Sequence, residues 1–160
     1  MYKTKIDMPD NTRKAAVNLL QARLADAVDL ATQMKQAHWN VKGPSFIALH
    51  ELFDQIHGEV AGYVDLLAER ITTLGGTAEG TARVAAERST LGEYPLDIAD
   101  GTAHVDAVST VLAAFGKEIR AAIDASDDMG DQGTADLFTE ISRGIDKSLW
   151  FVEAHAQTKK

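Results

Sequence analysis

Residues 45–74 carry two separate stripes of side chains at helical spacing, and this arrangement limits the fold more than any other feature of the chain. The apolar stripe repeats every three or four residues, as on one face of an α-helix. It consists of Phe46, Leu49, Phe53, Ile56, Val60, Val64, Leu67, Ile71 and Leu74. A second stripe, about 100° wide at the helical turn angle, carries His50, Asp54, Asp65 and Glu69. The helix therefore has one face that packs in a hydrophobic core and a second, acidic face that is free for a role outside the core.

The spacing of the acidic stripe indicates a metal site shared by two chains. His50 and Asp54 lie one helical turn apart, as do Asp65 and Glu69, so either pair could bind one ion. Asp54 and Asp65 are separated by roughly 16 Å of helix, which no single ion spans. The inner and outer positions are, however, symmetric about one midpoint next to Val60. Two antiparallel copies of the helix would bring each pair opposite the other, and an isologous dimer would carry two identical sites.

Small residues near the middle of the same face support a close approach of two backbones. They are Gly58, Ala61, Gly62 and Ala68. The spacing alone leaves an alternative open, because charged residues on a helix are usually a solvated surface and pairs four residues apart are common.

Length, composition and charge exclude several classes of protein. The 160 residues predict one domain, residues 1–160, with 45% hydrophobic and 25% charged side chains. The absence of cysteine excludes disulfides and thiolate metal sites. No transmembrane run or signal-peptide hydrophobic region is visible, so we expect a cytoplasmic protein, and association with the nucleoid is left open. The net charge of −8 argues against a broad nucleic-acid-binding surface.

Hydrophobic periodicity predicts an all-α fold with four long helices. The predicted segments are a tail at 1–10, helix A at 12–39, helix B at 45–74, a short helix at 82–88, helix C at 102–126 and helix D at 134–156. Asp10 or Asn11 is expected to cap the first helix, and Asp131 or Thr134 the last. A long crossover between the second and third long helices is typical of a ferritin-like four-helix bundle.

Three motifs resemble the Dps family of mini-ferritins, the DNA-binding proteins from starved cells. They are His38-Trp39-Asn40-Val41-x-Gly43, Phe46-x-x-Leu49-His50-x-x-Phe53-Asp54 and Asp65-x-x-Ala68-Glu69-Arg70. The similarity continues through Gly75-Gly76 to the segment 146–150, and so covers nearly the whole chain. In that family these histidine and acidic positions form a ferroxidase centre between two-fold related subunits, in agreement with the symmetric spacing.

The resemblance implies a function and a set of ligands. His38, Asp65 and Glu69 would hold the stronger iron position, with Asp65 able to bridge, and His50 and Asp54 would complete the weaker one from the partner chain. Each intersubunit site would take two iron ions. The implied activity is that of a ferroxidase, an oxidoreductase that oxidises Fe(II), typically with hydrogen peroxide, and stores ferric mineral in a hollow dodecamer built from two-fold dimers. The sequence leaves open whether peroxide or oxygen is preferred.

The resemblance also suggests residues around the centre and at a pore. Trp39 and Trp150 match tryptophans near the family's centre, although ordinary aromatic packing is the alternative. In the family, aspartates after the third long helix line iron pores. The candidates here are Asp127, Asp128, Asp131 and Asp136, for which a capped polar turn is the alternative.

The remaining histidines receive weaker predictions. His57 lies on the acidic face but is not part of the family motif, so we interpret it as an interface residue. His104 and His155 have no convincing partners by spacing.

The main rival function is a nucleoid-associated cage that binds and protects DNA, with secondary iron chemistry. A structural bundle with a solvated acidic stripe is a third possibility. DNA affinity depends on the number of basic side chains that contact phosphates. The tails offer only Lys3, Lys5, Lys159 and Lys160, so we expect weak DNA binding or none, and no contact with membranes.

Overall fold

The computed structural model describes residues 1–157, which form five α-helices and no named strand. The helices are α1 (Asp10–Asn40), α2 (Phe46–Thr73), α3 (Ala82–Arg88), α4 (Gly101–Asp128) and α5 (Gln132–Glu153). The predicted all-α class is therefore confirmed. Within the same residues, no helix is both long and apolar enough to cross a membrane. Lys159 and Lys160, which entered the prediction about DNA, lie outside the described residues.

The four long helices form a bundle in which each contacts two others. α1 packs along α2 and α4 packs along α5, while contacts of α1 with α4 and of α2 with α5 close the bundle. The crossover from α2 to α4 carries the short α3, which packs against α1. This long central connection is the ferritin-like arrangement that the sequence predicts.

Large apolar side chains from α2, α4 and α5 fill the core. Phe53, Phe115 and Phe138 are 0% exposed, and burial of each contributes roughly 2–3 kcal/mol. On α2 the predicted stripe is buried except for half-buried Val64 and for Phe46, which is 39% exposed in the first turn.

The first helix begins differently from the prediction. Pro9 occupies the N-cap position, and no side chain accepts a hydrogen bond from the first turn. Asp10 is already the first helical residue and forms an ion pair with Arg13. The prediction that Asp10 or Asn11 caps this helix is therefore wrong, because Pro9 has the fixed φ that starts the helix without a side-chain cap.

The crossover is attached to the bundle through a buried carboxylate on α1. Asp26 is 0% exposed, and its Oδ1 accepts hydrogen bonds from Thr90 N at 2.7 Å and Thr90 Oγ1 at 3.1 Å. Arg23 lies 2.9 Å from the other oxygen of Asp26 and also 2.9 Å from Glu118 on α4. Asp26 thus attaches the connecting segment to α1, and Arg23, which pairs with Asp26, links α1 to Glu118 of α4.

Candidate metal centre

Three contacts follow one another along the surface where α1 and α2 run antiparallel. We call this surface the seam; its residues are Ala31, Lys35 and His38 of α1 and His50, Asp54 and His57 of α2. His38 contacts His50, Lys35 contacts Asp54, and Ala31 contacts His57. The three predicted ligands that lie in this part of the chain are therefore neighbours on the seam.

His38 and His50 are fixed by reciprocal hydrogen bonds. His38 Nδ1 lies 2.7 Å from the carbonyl oxygen of His50, and His50 Nδ1 lies 2.8 Å from the carbonyl oxygen of His38. The rings stack with centroids 3.7 Å apart and an interplanar angle of 20°. A carbonyl oxygen can only accept, so each Nδ1 carries the hydrogen. In the neutral imidazole, Nε2 then holds a lone pair that is free to bind a metal.

The end of α1 explains why His50 finds an acceptor there. A carbonyl in the last turn of a helix has no intrahelical donor unless the chain continues. The natural donor to His38 O would be Lys42 N, but this group instead donates to Ala99 O at 2.8 Å. The imidazole of His50 takes its place, so the end of the helix and the orientation of the ring are determined together.

Asp54 is held by an ammonium group in the chain itself. Lys35 Nζ lies 2.5 Å from Asp54 Oδ1, with side chains that are 28% and 49% exposed. The hydrogen bond from Lys35 is the main cause that lowers the pKa of Asp54, and the nearby His38 and His57 add to it. Asp54 is therefore a carboxylate at neutral pH, and a cationic group already lies against one of its oxygens.

Asp65 and Glu69 lie apart from these three side chains. Both are exposed on α2, one helical turn from each other and roughly 16 Å along the axis from Asp54. Within residues 1–157 no group of three or more His, Asp or Glu side chains converges to hold an ion. One chain therefore presents two partial ligand sets, His38/His50/Asp54 and Asp65/Glu69, which we call the two half-sites. The prediction that His38 shares a chain's half-site with Asp65 and Glu69, opposite His50 and Asp54 of the partner, is wrong, because His38 pairs with His50 of its own chain.

The surface between the half-sites is open and has small side chains. Gly58, Ala61 and Gly62 are exposed, and a Cβ atom added to either glycine would meet nothing within 4 Å. Exposed apolar side chains accompany this face, with Ile47 at 60% and Leu66 at 37% exposure. The face has the room and the apolar surface that close contact with a second helix requires.

The two tryptophans are both largely exposed in the single chain. Trp39 is 67% exposed beside His38, and it lines a groove between α1 and α3. Trp150 is 60% exposed and packs on Phe151 with ring centroids 4.9 Å apart. A place near the metal centre remains a prediction for both.

The four candidate pore aspartates divide into two groups. Asp127, Asp128 and Asp136 are exposed. Asp131 is 1% exposed, caps α5 by accepting a hydrogen bond from Thr134 N at 3.0 Å, and lies 2.8 Å from Arg70 Nη2. Asp131 therefore provides no exposed carboxylate in the chain, and the alternative prediction, that it caps the last helix, describes its role.

Sequence reasoning missed Lys35 and the particular geometry of His57. His57 Nδ1 lies 2.9 Å from the carbonyl oxygen of Ala31, an arrangement that spacing on α2 alone does not reveal. Lys35 lies one turn before the His-Trp-Asn motif. If His38 is assumed to face His50 and the two helices are antiparallel, the residue one turn earlier on α1 faces the residue one turn later on α2. This assumption would have paired Lys35 with Asp54.

Comparisons with known proteins agree with this architecture. Residues 17–160 match the ferritin-like domain family. The chain is 46% identical over 158 residues to the "DNA protection during starvation protein" of Agrobacterium fabrum, covering 99% of this chain and 98% of that protein. The Dps structure of Mycobacterium smegmatis in a tetragonal form is 33% identical with a TM-score of 0.91, covering 96% and 93% of the two chains. The Dps structure of Microbacterium arborescens in the high iron form is 34% identical with a TM-score of 0.86, covering 92% and 96%.

Proposed function

Since this chain belongs to the Dps family of ferritin-like proteins, we propose that it oxidises Fe(II) at sites shared by two copies of the chain and stores the ferric product. The observation that carries this proposal is the pair His38 and His50. Each ring is held by the main chain at Nδ1 and leaves Nε2 for a metal. The two half-sites on one chain explain why a second copy is needed to complete the ligand set.

The donor atoms fit iron as the substrate. Imidazole nitrogen and carboxylate oxygen, without any thiolate, suit first-row divalent ions such as Fe(II). The carboxylates of Asp54, Asp65 and Glu69 add the negative charge that favours the ferric over the ferrous state. Sparse ligands at an interface also leave coordination positions for an oxidant.

The proposed reaction is balanced with hydrogen peroxide. Two Fe(II) ions each lose one electron, and one peroxide molecule accepts both electrons together with two protons to give two molecules of water. Pairing two ions in one site lets this two-electron reduction occur without release of a hydroxyl radical. The M. arborescens relative, described in a high iron form, supports iron as the substrate in this family.

We further propose that the working unit is an assembly of identical chains. Antiparallel contact of two α2 helices would build two sites per dimer, and the family resemblance suggests a hollow dodecamer of such dimers that holds the mineral. A cytoplasmic location is part of the same proposal.

A direct experiment tests the proposed function. Anaerobic Fe(II) is mixed with the purified assembly, peroxide or oxygen is added in separate arms, and ferric absorbance and particle mass are followed. We expect oxidation faster than in protein-free buffer and an increase in particle mass. Rates equal to those of the buffer control with both oxidants would contradict the proposal.

Protection of DNA is a second candidate function, because relatives carry this property in their name. Removal of Fe(II) and peroxide would protect DNA without contact, by preventing hydroxyl-radical formation. The net charge of −8 opposes direct binding. Gel-shift titration with plasmid DNA at graded salt separates these routes, and we expect no stable complex at physiological ionic strength. A tight complex under those conditions would favour direct binding.

A further inference from the structure

Three of the five histidines share one structural signature, and only two of them belong to the predicted ligand set. His38, His50 and His57 each direct Nδ1 to a main-chain carbonyl oxygen of the opposite helix, at 2.7, 2.8 and 2.9 Å. His104 instead is buried with Nδ1 2.6 Å from Tyr94 Oη, and His155 is exposed in the turn that follows α5. From this signature we propose that His57 is a further metal ligand, which binds a divalent first-row cation together with Asp54 in the weaker position of the shared site.

The hydrogen bond of His57 determines which ring nitrogen is available. The carbonyl oxygen of Ala31 can only accept, so Nδ1 carries the hydrogen. The neutral ring then has its lone pair on Nε2, as in the two predicted ligands. Histidines that bind metals almost always donate their other ring N–H to a carboxylate, a main-chain carbonyl or water, and His57 meets this condition before any ion is present.

Its position on α2 places His57 next to a carboxylate. Asp54 precedes it by three residues, so the two side chains lie on the same face of the helix, close enough to share one ion. His57 is half-buried along the seam.

The proposed dimer leaves room for an ion at this point. In an antiparallel pair of α2 helices with the midpoint next to Val60, His57 lies opposite Gly62 of the partner subunit. Gly62 has no side chain to fill the space, and its surroundings in one chain are open. Asp65 of the partner subunit lies opposite Asp54 in the same arrangement and would supply a further oxygen. The inference therefore rests on the proposed function for its shared site.

Lys35 shows that this position already stabilises positive charge. Its ammonium group lies between the contacts made by His38 and His57 and is 2.5 Å from Asp54 Oδ1. A divalent cation held by Asp54 and His57 would compete with the ammonium group for the carboxylate. Lys35 is long and 28% exposed, so it can move toward solvent when an ion takes its place.

Binding of Co(II) to the metal-free assembly tests the proposal without redox chemistry. Calorimetry and visible absorption of the cobalt ion are compared for the unaltered chain, His57→Gln, His57→Asp and the control His155→Gln. We expect His57→Gln to keep the tighter position and to weaken the other by more than about tenfold, since loss even of a group that only orients a ligand typically costs about tenfold or more in metal affinity. His57→Asp, which supplies a carboxylate oxygen in place of the imidazole nitrogen, should recover part of this loss. His155→Gln should behave as the unaltered chain.

The outcomes separate this proposal from the proposed function. A His57→Gln isotherm equal to that of the unaltered chain overturns the role of His57, while Fe(II) oxidation by both proteins would leave the proposed function standing. An unaltered chain that neither binds Co(II) nor oxidises Fe(II) overturns both. Should His57→Gln fail to assemble, cobalt X-ray absorption on the unaltered chain decides the question. A spectrum that shows three imidazole ligands for the two ions of a site supports the proposal, and one that shows two imidazole ligands contradicts it.

Discussion

His38 and His50 each donate the Nδ1 hydrogen to the main-chain carbonyl oxygen of the other, at 2.7 and 2.8 Å. This exchange joins the last turn of α1 to the first turn and a half of α2, on either side of a short loop. It fixes both rings in the metal-free chain, so a cation bound there, as we propose, would not have to order them. Ligands that are held in advance in this way lower the entropic cost of binding.

Loss of the histidine half-site should abolish rapid iron oxidation. His50→Ala combined with Asp54→Ala removes two donors from each shared site, and we expect oxidation to fall to the rate in protein-free buffer. Both residues are at least partly exposed, so helical circular dichroism should persist. Glu51→Ala with Gln55→Ala is a matched control, since these exposed neighbours lie on the same turns. Oxidation at the unaltered rate by the first double variant would contradict the assignment.

Mixed assemblies should reveal that the site is shared. A chain without His50 and Asp54 and a chain without Asp65 and Glu69 are each expected to be inactive alone. In a mixed dimer one site lacks all four ligands and the other keeps all four, so part of the activity should return. Native mass spectrometry verifies the mixed dimers. Their presence without any recovered activity would indicate sites within single chains.

Removal of the Lys35 ammonium group should strengthen metal binding at Asp54. Lys35→Met retains the length of the side chain and frees the carboxylate, so we expect several-fold tighter Co(II) binding in the weaker position. The same change should raise the pKa of Asp54 toward its ordinary value of 3.8, because the Lys35 hydrogen bond is the main cause of its lowering. Lys14→Met, at an exposed site elsewhere on α1, is the control. Weaker binding in Lys35→Met would show that the lysine helps to hold the ion.

The buried His104 should make stability depend on pH. Burial is the main cause that lowers its pKa from 6.5, so the unfolded chain binds the proton more readily than the folded chain. This contribution to stability is therefore fully present above about pH 6.5 and is lost as the pH falls below that value. We expect the urea midpoint to be constant above about pH 6.5 and to decline as the pH falls below it.

His104→Gln is the variant that tests this origin. It should be less stable at neutral pH, because the contact with Tyr94 is altered, but it should lose less stability on acidification. Parallel pH profiles for the two proteins would assign the decline to other groups.

Neutralising the exposed aspartates after α4 should slow iron uptake without destabilising the fold. Asp127→Asn, Asp128→Asn and Asp136→Asn remove negative charge that would concentrate cations at a pore. Uptake is followed by stopped-flow ferric absorbance with iron in excess of the shared sites. The control neutralises three exposed aspartates elsewhere, Asp7, Asp97 and Asp106.

Asp131→Ala should act differently, because this residue is buried. It removes a helix cap and the partner of Arg70, and should cost roughly 2 kcal/mol or more in unfolding free energy. Uptake by the triple variant equal to that of its control would leave the three exposed aspartates as ordinary turn residues.

The sequence predicts the features that depend on one helix at a time. The bundle, its long crossover and the two stripes of α2 follow from periodicity within single segments. The pairing of Lys35 with Asp54 does not, because it depends on how far α1 is displaced along α2. The burial of Asp131 likewise depends on Arg70, which is distant in sequence. The capping error at Asp10 has a local cause, since Pro9 and an acidic residue each signal a helix start.

The order of contacts on the seam fixes the position of α1 along the axis of α2. A core of similar aliphatic side chains would tolerate a displacement of one turn, about 5.4 Å, with little change in the area buried. The seam does not, because its three successive contacts are chemically different. A displacement by one turn in either direction would place the ammonium group of Lys35 against an imidazole, that of His50 or that of His57. Only the observed alignment places Lys35 against a carboxylate. The residues that carry the candidate metal-binding atoms therefore also determine the axial alignment of α1 and α2 that brings those atoms together.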